Sequence, residues 1–522
     1  MKRLKGKNII NTVTVCLVII FLFIIPCRHV SAQETILQQK ISLQAKEKPL
    51  IDIIHQINDI LGLQLTYNAN ADANMLVSFR YENEAAGKVL KDLLNRYQLD
   101  YMVSNGHLIV HDLFHNELND VRQTTTKSGR PVSPSFVFNN PKKKFIAIPF
   151  VDASNLIIIP VRINNSRQLN FILDTGIKVP TITELPDTGK LDLKFTQPLQ
   201  LTGLGQLKQV SAYSSFYNRI ELPGLTGYNL TVHVIDNPDF KISPLIGVRV
   251  HGLIGFSLLK DYVIKIDYGR KIIYLYQPED FNMKRALRKS EVVNLTFSGS
   301  KPLMDATVTM KEGVVVPVKM MADLGASEAA WLSPVSDNRL QPPGNSIEAF
   351  LGRGLAGDLY GKKGRIQAIR ISNVEFEAPI VSFPDTSHIG GITGKNRNGS
   401  IGGEILRRFL VVIDYSNQRM LMQPGRRVDA PFNYNMSGID IVNPLPGLPY
   451  YKIINVQKGS PGDLAGLLPG DEIVYINHTA AKDITLSEIN QLLMSQENRN
   501  IKMQVKRNDQ NIKTDFRLRK VF

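Results

Sequence analysis

The sequence predicts a multidomain, mainly β protein: a small α/β module first, then two all-β lobes made by duplication, then an α+β module. Three observations carry this reading. Short β-branched runs punctuated by Gly, Pro and Asn fill residues 145 to 425, a set of those runs recurs 147 to 149 residues further on, and residues 40 to 112 switch between strand and helix periodicities. At 522 residues, 43% hydrophobic and 21% charged, the chain has the composition of ordinary globular domains.

Residues 1–32 read as a signal peptide. Lys2, Arg3, Lys5 and Lys7 give a basic start, Val13 to Ile25 is a short apolar run, and Val30-Ser31-Ala32 fits a cleavage site. An uncleaved membrane anchor is the alternative, and Pro26 ahead of Cys27 disfavours lipid attachment there. The expectation is export, to the periplasm or the outer membrane of a Gram-negative-type envelope. Cleavage would remove Cys16 and Cys27, the only cysteines, which excludes disulfides, thiol catalysis and cysteine-ligated metal. It would also lower the net charge from +15 to +10, spread thinly except at Lys142-Lys143-Lys144. Without a clustered basic face no nucleic-acid partner is expected, and without a Walker or HExxH motif no nucleotide, metal or other cofactor.

Residues 40–112 predict strand, helix, two strands, helix and hairpin. Ile41 to Ala45 alternates; Leu50, Ile53, Ile54, Ile57, Ile60 and Leu61 fall at helical spacing; Val89, Leu90, Leu93, Leu94 and Tyr97 do so again. Asn105-Gly106 joins Tyr101–Val103 to His107–Val110, both residues accepting positive φ. This order, with Ile41-Ser42-Leu43-Gln44-Ala45, resembles the short N-terminal domain of secretins and TonB-dependent receptors, which implies an envelope protein partner. His107, His111 and His115 lack the converging ligands of a metal site and read as structural. Residues 113–144 have no apolar period and read as a linker.

Lobe one is expected over 145–285 and lobe two over 286–428. Phe171-Ile172-Leu173-Asp174-Thr175-Gly176 corresponds to Met320-Met321-Ala322-Asp323-Leu324-Gly325, and Leu253-Ile254-Gly255 to Ser400-Ile401-Gly402. An ionised carboxylate at an apolar strand end needs partners or a function, because burying it alone is costly. The doubled pattern resembles the pepsin and retropepsin class of aspartic proteases, in which each half supplies one Asp and an apolar pair ending in Gly crosses beside it. That resemblance implies a catalytic pair Asp174 and Asp323, supported by Thr175, Gly176, Gly325, Gly255 and Gly402. It also implies flaps at Gly203, Leu204 and Gly205 and, in the second lobe, at Gly352 and Gly354. Two carboxyls held close share one proton, so one activates water while the other protonates the carbonyl oxygen. Two other motifs read as polar turns: Asp187-Thr188-Gly189, with no apolar strand before it, and Ser336-Asp337-Asn338.

Residues 433–522 carry Gly459-Ser460-Pro461, Ala465-Gly466-Leu467 and Pro469-Gly470-Asp471-Glu472-Ile473, and closely resemble a bacterial PDZ domain. The resemblance implies a peptide partner added as a strand, with Gly438, Ile439, Asp440 and Ile441 as carboxylate loop and strand, and Leu486, Ile489 and Leu493 as the helical wall. The chain then reads as an exported aspartic endopeptidase whose PDZ domain recruits peptide or protein substrates. A second reading stays open, that of a non-catalytic envelope adaptor built on the same fold. It is favoured by Leu324, standing where the family carries Thr, and by Lys178, a cation beside the first loop.

Overall fold

The structure, a computed structural model, describes residues 36–522 apart from 69–73, 98, 105–106, 113–133, 187–190, 194–195, 206–208, 236–239 and 390–396. The expected signal segment, the Asn105-Gly106 turn and Asp187-Thr188-Gly189 lie outside the described residues. The fold is mainly β and multidomain, and the chain divides into two compact units, residues 1–114 and 115–522.

In the first unit β1 (Lys40–Pro49) and β3 (Leu76–Ala85) pair antiparallel. The strands β2 (Gln64–Asn68), β4 (Leu99–Ser104) and β5 (His107–Asp112) make a second sheet with β5 central. Helix α1 (Leu50–Leu61) buries Ile53, Ile54 and Ile57, and α2 (Ala86–Asn95) buries Val89, Leu90 and Leu93. These are the positions that helical spacing turns to one face. Gly62, at φ 63°, closes α1 in the left-handed conformation that glycine adopts without steric cost.

The second unit holds two halves of matching topology. The first comprises β6 (Ser135–Phe138), β7 (Phe145–Pro149), β8 (Val151–Ala153), β9 (Leu156–Ile163), β10 (Leu169–Leu173) and β11 (Thr181–Ile182). It continues with β12 (Gln197–Leu201), β13 (Val210–Leu222), β14 (Leu225–Ile235), β15 (Gly252–Ile254), β16 (Val263–Asp267) and β17 (Ile272–Tyr276). The second comprises β18 (Glu291–Ser298), β19 (Lys301–Thr309), β20 (Val315–Ala322), β21 (Ala330–Leu332), β22 (Ile347–Gly354) and β23 (Gly357–Arg365). Its remaining strands are β24 (Ala368–Ile371), β25 (Val374–Glu377), β26 (Ile380–Pro384), β27 (Gly399–Ile401), β28 (Phe409–Asp414) and β29 (Arg419–Pro424).

In the first half β10 lies between antiparallel β9 and parallel β15, with β11 antiparallel to β15. The second half repeats this with β20 between β19 and β27, and β21 on β27. One sheet, ordered β7-β17-β16-β28-β29-β18, joins the halves. Its centre is the pairing of β16 with β28, where Lys265 faces Val412. Val412 stands 147 positions after Lys265, the same offset that relates the repeated motifs, so a pseudo-twofold axis passes between those two residues.

Residues 113–144 are not all linker. Phe136 and Phe138 alternate with Ser135 and Val137, and burying both rings makes β6 an edge strand on β14. Phe138 stacks 5.1 Å from Tyr262, whose hydroxyl donates to the Phe136 carbonyl at 2.7 Å.

The C-terminal strands β30 (Ile439–Val442), β31 (Tyr451–Val456), β32 (Glu472–Ile476), β33 (Thr479–Ala480), β34 (Asn500–Arg507) and β35 (Gln510–Arg517) form one sheet with β30 at its edge. Helix Leu486–Leu493 closes it, started by a capping box between Thr485 and Glu488 that satisfies two otherwise unpaired amides. Among the described residues no helix is long and apolar enough to cross a membrane.

The shared sheet makes a direct test of how the halves depend on each other. Ile266 is fully buried and faces Val411 across the axis. Ile266→Ala is expected to cost about 2–5 kcal/mol, read as a lowered urea midpoint, with both halves lost in one transition.

Candidate active site

Each repeated strand delivers its aspartate the same way. The Asp174 amide donates to the Ile254 carbonyl at 2.8 Å and the Asp323 amide to Ile401 at 2.9 Å, so each loop starts from a main-chain anchor on the crossing strand. Glycine is required where the chains cross. A β-carbon at Gly255 would lie 1.8 Å from the Asp174 carbonyl oxygen, and one at Gly402 2.3 Å from that of Glu328. Gly325 presses on the opposite carboxyl itself, since a β-carbon there would lie 2.5 Å from Oδ2 of Asp174. Asp174 and Asp323 are thereby brought face to face.

The two loops are joined by one hydroxyl. Thr175 is fully buried; its Oγ1 donates to the Ala322 carbonyl at 2.6 Å and accepts from the Leu324 amide at 3.1 Å. Leu324, in the reciprocal position, is 2% exposed and packs in the main core. The second loop has a different hydroxyl. Ser400, at the place that Leu253 takes in the first half, donates to Oδ2 of Asp323 at 2.9 Å and accepts from Nη2 of Arg397 at 2.5 Å. Arg397 is itself buried, lies over the Trp331 ring at 4.9 Å and donates from Nε to the Gly399 carbonyl.

This asymmetry separates the two acids. Burial pushes both carboxyls above the usual range. Asp174 reaches about 7, because its burial is reinforced by the charge of Asp323 and opposed chiefly by one amide, that of Gly176. For Asp323, Arg397, the Ser400 hydroxyl and the Gly325 amide all oppose the rise. More groups favour the ionised form of Asp323 than that of Asp174, so these surroundings bias the pair's shared proton towards Asp174.

The cations that bear on the pair are Arg397 and Lys301. Lys178 is exposed and is not one of them, which corrects the expectation of a cation beside the first loop. Tyr415 adds a hydroxyl that is buried without a hydrogen-bond partner among the described residues; its ring packs against Phe256 and Phe297. Lys301, Arg397 and Tyr415 come from segments far from either aspartate in sequence, and no local pattern marks them. Ser400 did carry a signal, as the one polar residue in an apolar crossing pair.

The expected flaps meet at their tips. The Ala356 amide donates to the Leu204 carbonyl at 2.9 Å, and β-carbons at Gly203, Gly205 and Gly354 would all collide with the facing tip. Leu355, at the second tip, packs onto an apolar cluster of the first half, against which Ile177, three residues after Asp174, also packs. Gly352 is different: at φ 130° it has open space around it and sits at the register shift between Phe350 and its neighbour, so it forms a bulge in the flap stem. Ser336-Asp337-Asn338 is a turn held by the Asp337–Arg339 pair. Among the described residues no cluster of His, Cys, Asp and Glu could hold a metal ion.

In the C-terminal domain Gly438, at φ 73°, turns against Ser460, and Asp440 bonds Asn455 on the exposed face. Ile439, Ile441, Leu486, Ile489 and Leu493 are 0–7% exposed and pack in one cluster between the helix and the sheet. The helix shows why: its apolar residues recur at the spacing that faces the sheet.

Residues 452–507 match the PDZ domain family. No curated protein matches the sequence. Among solved structures, the crystal structure of an aspartic proteinase from Irpex lacteus aligns with 55% of this chain and 99% of its own, at 10% identity and a TM-score of 0.37. At that score the likeness decides neither fold nor activity.

Two substitutions test the geometry. Thr175→Val removes both of its bonds to the second loop and leaves the buried Leu324 amide unsatisfied, so unfolding stability should fall by about 1–3 kcal/mol in urea titration. Arg397→Met removes the cation that favours ionised Asp323. The acid limb of any dyad-dependent activity should then move to higher pH, read from a pH–rate profile.

Proposed function

We propose that the protein is an aspartic endopeptidase of the cell envelope, using Asp174 and Asp323 to activate water for attack on a peptide bond. One observation carries the reading. A half-buried and a buried carboxyl meet on pseudo-twofold-related loops, the two flap tips touch each other, and unlike surroundings act on the proton affinities of the two acids. Ionised Asp323 takes a proton from water as its oxygen attacks the carbonyl carbon, while Asp174 donates its proton to the carbonyl oxygen. In the collapse of the tetrahedral intermediate Asp323 passes its proton to the leaving nitrogen as the carbon–nitrogen bond breaks, a hydroxyl of the intermediate gives its proton to Asp174, and the pair again holds one proton. Thr175 and the glycines hold the carboxyls in register; the meeting flaps exclude bulk water from the charged intermediate.

The departure at Leu324 does not remove the interlobe link, since Thr175 alone supplies it and Ser400 supplies a hydroxyl to Asp323. This favours catalysis over the adaptor reading. The PDZ domain is taken to recruit peptide or protein substrates, the N-terminal module to bind an envelope partner, and residues 1–32 to direct export.

The test is cleavage of a diverse peptide mixture from about pH 3 to pH 8. Because Asp174 must hold the proton, and its carboxyl is raised to about 7, activity should persist towards neutrality and fall as pH rises through that value. Asp174→Asn and Asp323→Asn should each reduce the rate by at least about 1,000-fold, the order expected when an acid–base group is lost. Equal rates for all three folded proteins would sink the dyad mechanism and leave the adaptor reading.

A further inference from the structure

The edge of β30 is where an added peptide strand would pair, and the molecule's own groups already occupy it. The Ile439 carbonyl accepts from Nδ2 of Asn435 at 2.7 Å, and the Ile439 amide donates to Oγ of Ser437 at 3.3 Å. Four residues on, the Asn443 amide donates to the carbonyl of Pro244 at 2.8 Å. Pro244 belongs to the first lobe, in the short turn Ser243–Gly247. That turn also sits on the closing helix: Gly247 has φ 74°, and a β-carbon there would lie 2.7 Å from Cβ of Leu486. Leu486, which belongs to the domain's own core, is thus covered from the first lobe as well.

The opposite side of the turn faces the candidate active site. Ile246 and Val250 are buried with Ile172 and Leu253 in a cluster that partly buried Ile177 and the flap-tip Leu355 pack against. Arg353, in the stem of the same flap, donates to the carbonyl of Lys241. One short segment thus meets the peptide edge on one side and, on the other, contributes Ile246 to the cluster against which the loop after Asp174 and a flap tip pack.

We propose that Ser243–Gly247 is an intramolecular clasp on the PDZ groove, displaced by an extended peptide with a free terminal carboxylate and an apolar last side chain, so that groove occupancy is transmitted to the flaps. This rests on the peptide-binding reading of the C-terminal domain. Main-chain groups on a strand point to the same edge at every second residue. A peptide running antiparallel to β30 from the Gly438 loop therefore meets Ile439 with its last residue, Ile441 with its third from last and Asn443 with its fifth from last. Four residues fit without touching the clasp; longer peptides compete with Pro244 for the Asn443 amide.

The experiment uses the full exported chain carrying Asp174→Asn, so that binding is read without cleavage. Peptides of four and eight residues ending in a free valine carboxylate are titrated by fluorescence anisotropy, with the eight-residue amide as control. In a Gly247→Val variant, which cannot keep the turn seated on Leu486, the eight-residue peptide should bind at least tenfold tighter while the four-residue peptide changes by less than twofold. In the parent protein, saturating eight-residue peptide should raise hydrogen exchange at 242–250, at the Asn443 amide and at the 351–357 flap tip. Equal affinity in both proteins, or exchange unchanged in those segments with peptide bound, overturns the clasp and leaves peptide binding standing. No binding to either protein overturns the peptide-binding reading, and the clasp with it.

Discussion

Two carboxyls buried against each other cannot both be charged, and much of the second unit is arranged around that constraint. Glycine at 325 lets one loop press on the other's carboxyl, glycines at 255 and 402 let the crossing strands pass underneath, and a single threonine hydroxyl fixes the loops at their bases. None of these contacts is local. Those of Gly325 and Thr175 form only when both halves have folded and paired, so the site depends on the joining sheet as much as on its own residues. The same sheet gives the main core its continuity across the halves.

What separates the acids is a change of neighbours rather than of backbone. The topology is repeated strand for strand, yet the first loop's hydroxyl follows its aspartate and bonds the facing loop, whereas the second aspartate is bonded by a hydroxyl on the crossing strand with a guanidinium behind it. Equal backbones with unequal partners give unequal proton affinities, which is what dividing the roles of acid and base requires.

The elements of the first module were legible because amphipathic helices and an alternating strand are local patterns, and the repeat was legible because it preserves spacing. Phe136 and Phe138 alternate too, but four residues beside a polar stretch are too short to outweigh it, and β6 was missed for that reason. Arg397 and Lys301 were hidden because their relation to the aspartates exists only in three dimensions. Lys178 misled in the opposite way, being close in sequence and turned outward in space. In the PDZ domain the helix's apolar positions were legible because they recur at the spacing that turns them to the sheet.

The pairing of Lys265 with Val412 has a consequence for how such a site can arise. Two identical chains around a true twofold axis would place the same residue on both sides, here lysine against lysine, and would surround both aspartates with identical groups. Linking the halves in one polypeptide lifts that restriction. A cation can then stand at the axis opposite an aliphatic side chain, and a guanidinium can favour one carboxyl over the other. Covalent tandem linkage is, in this molecule, what makes chemical inequality between two geometrically equal halves attainable.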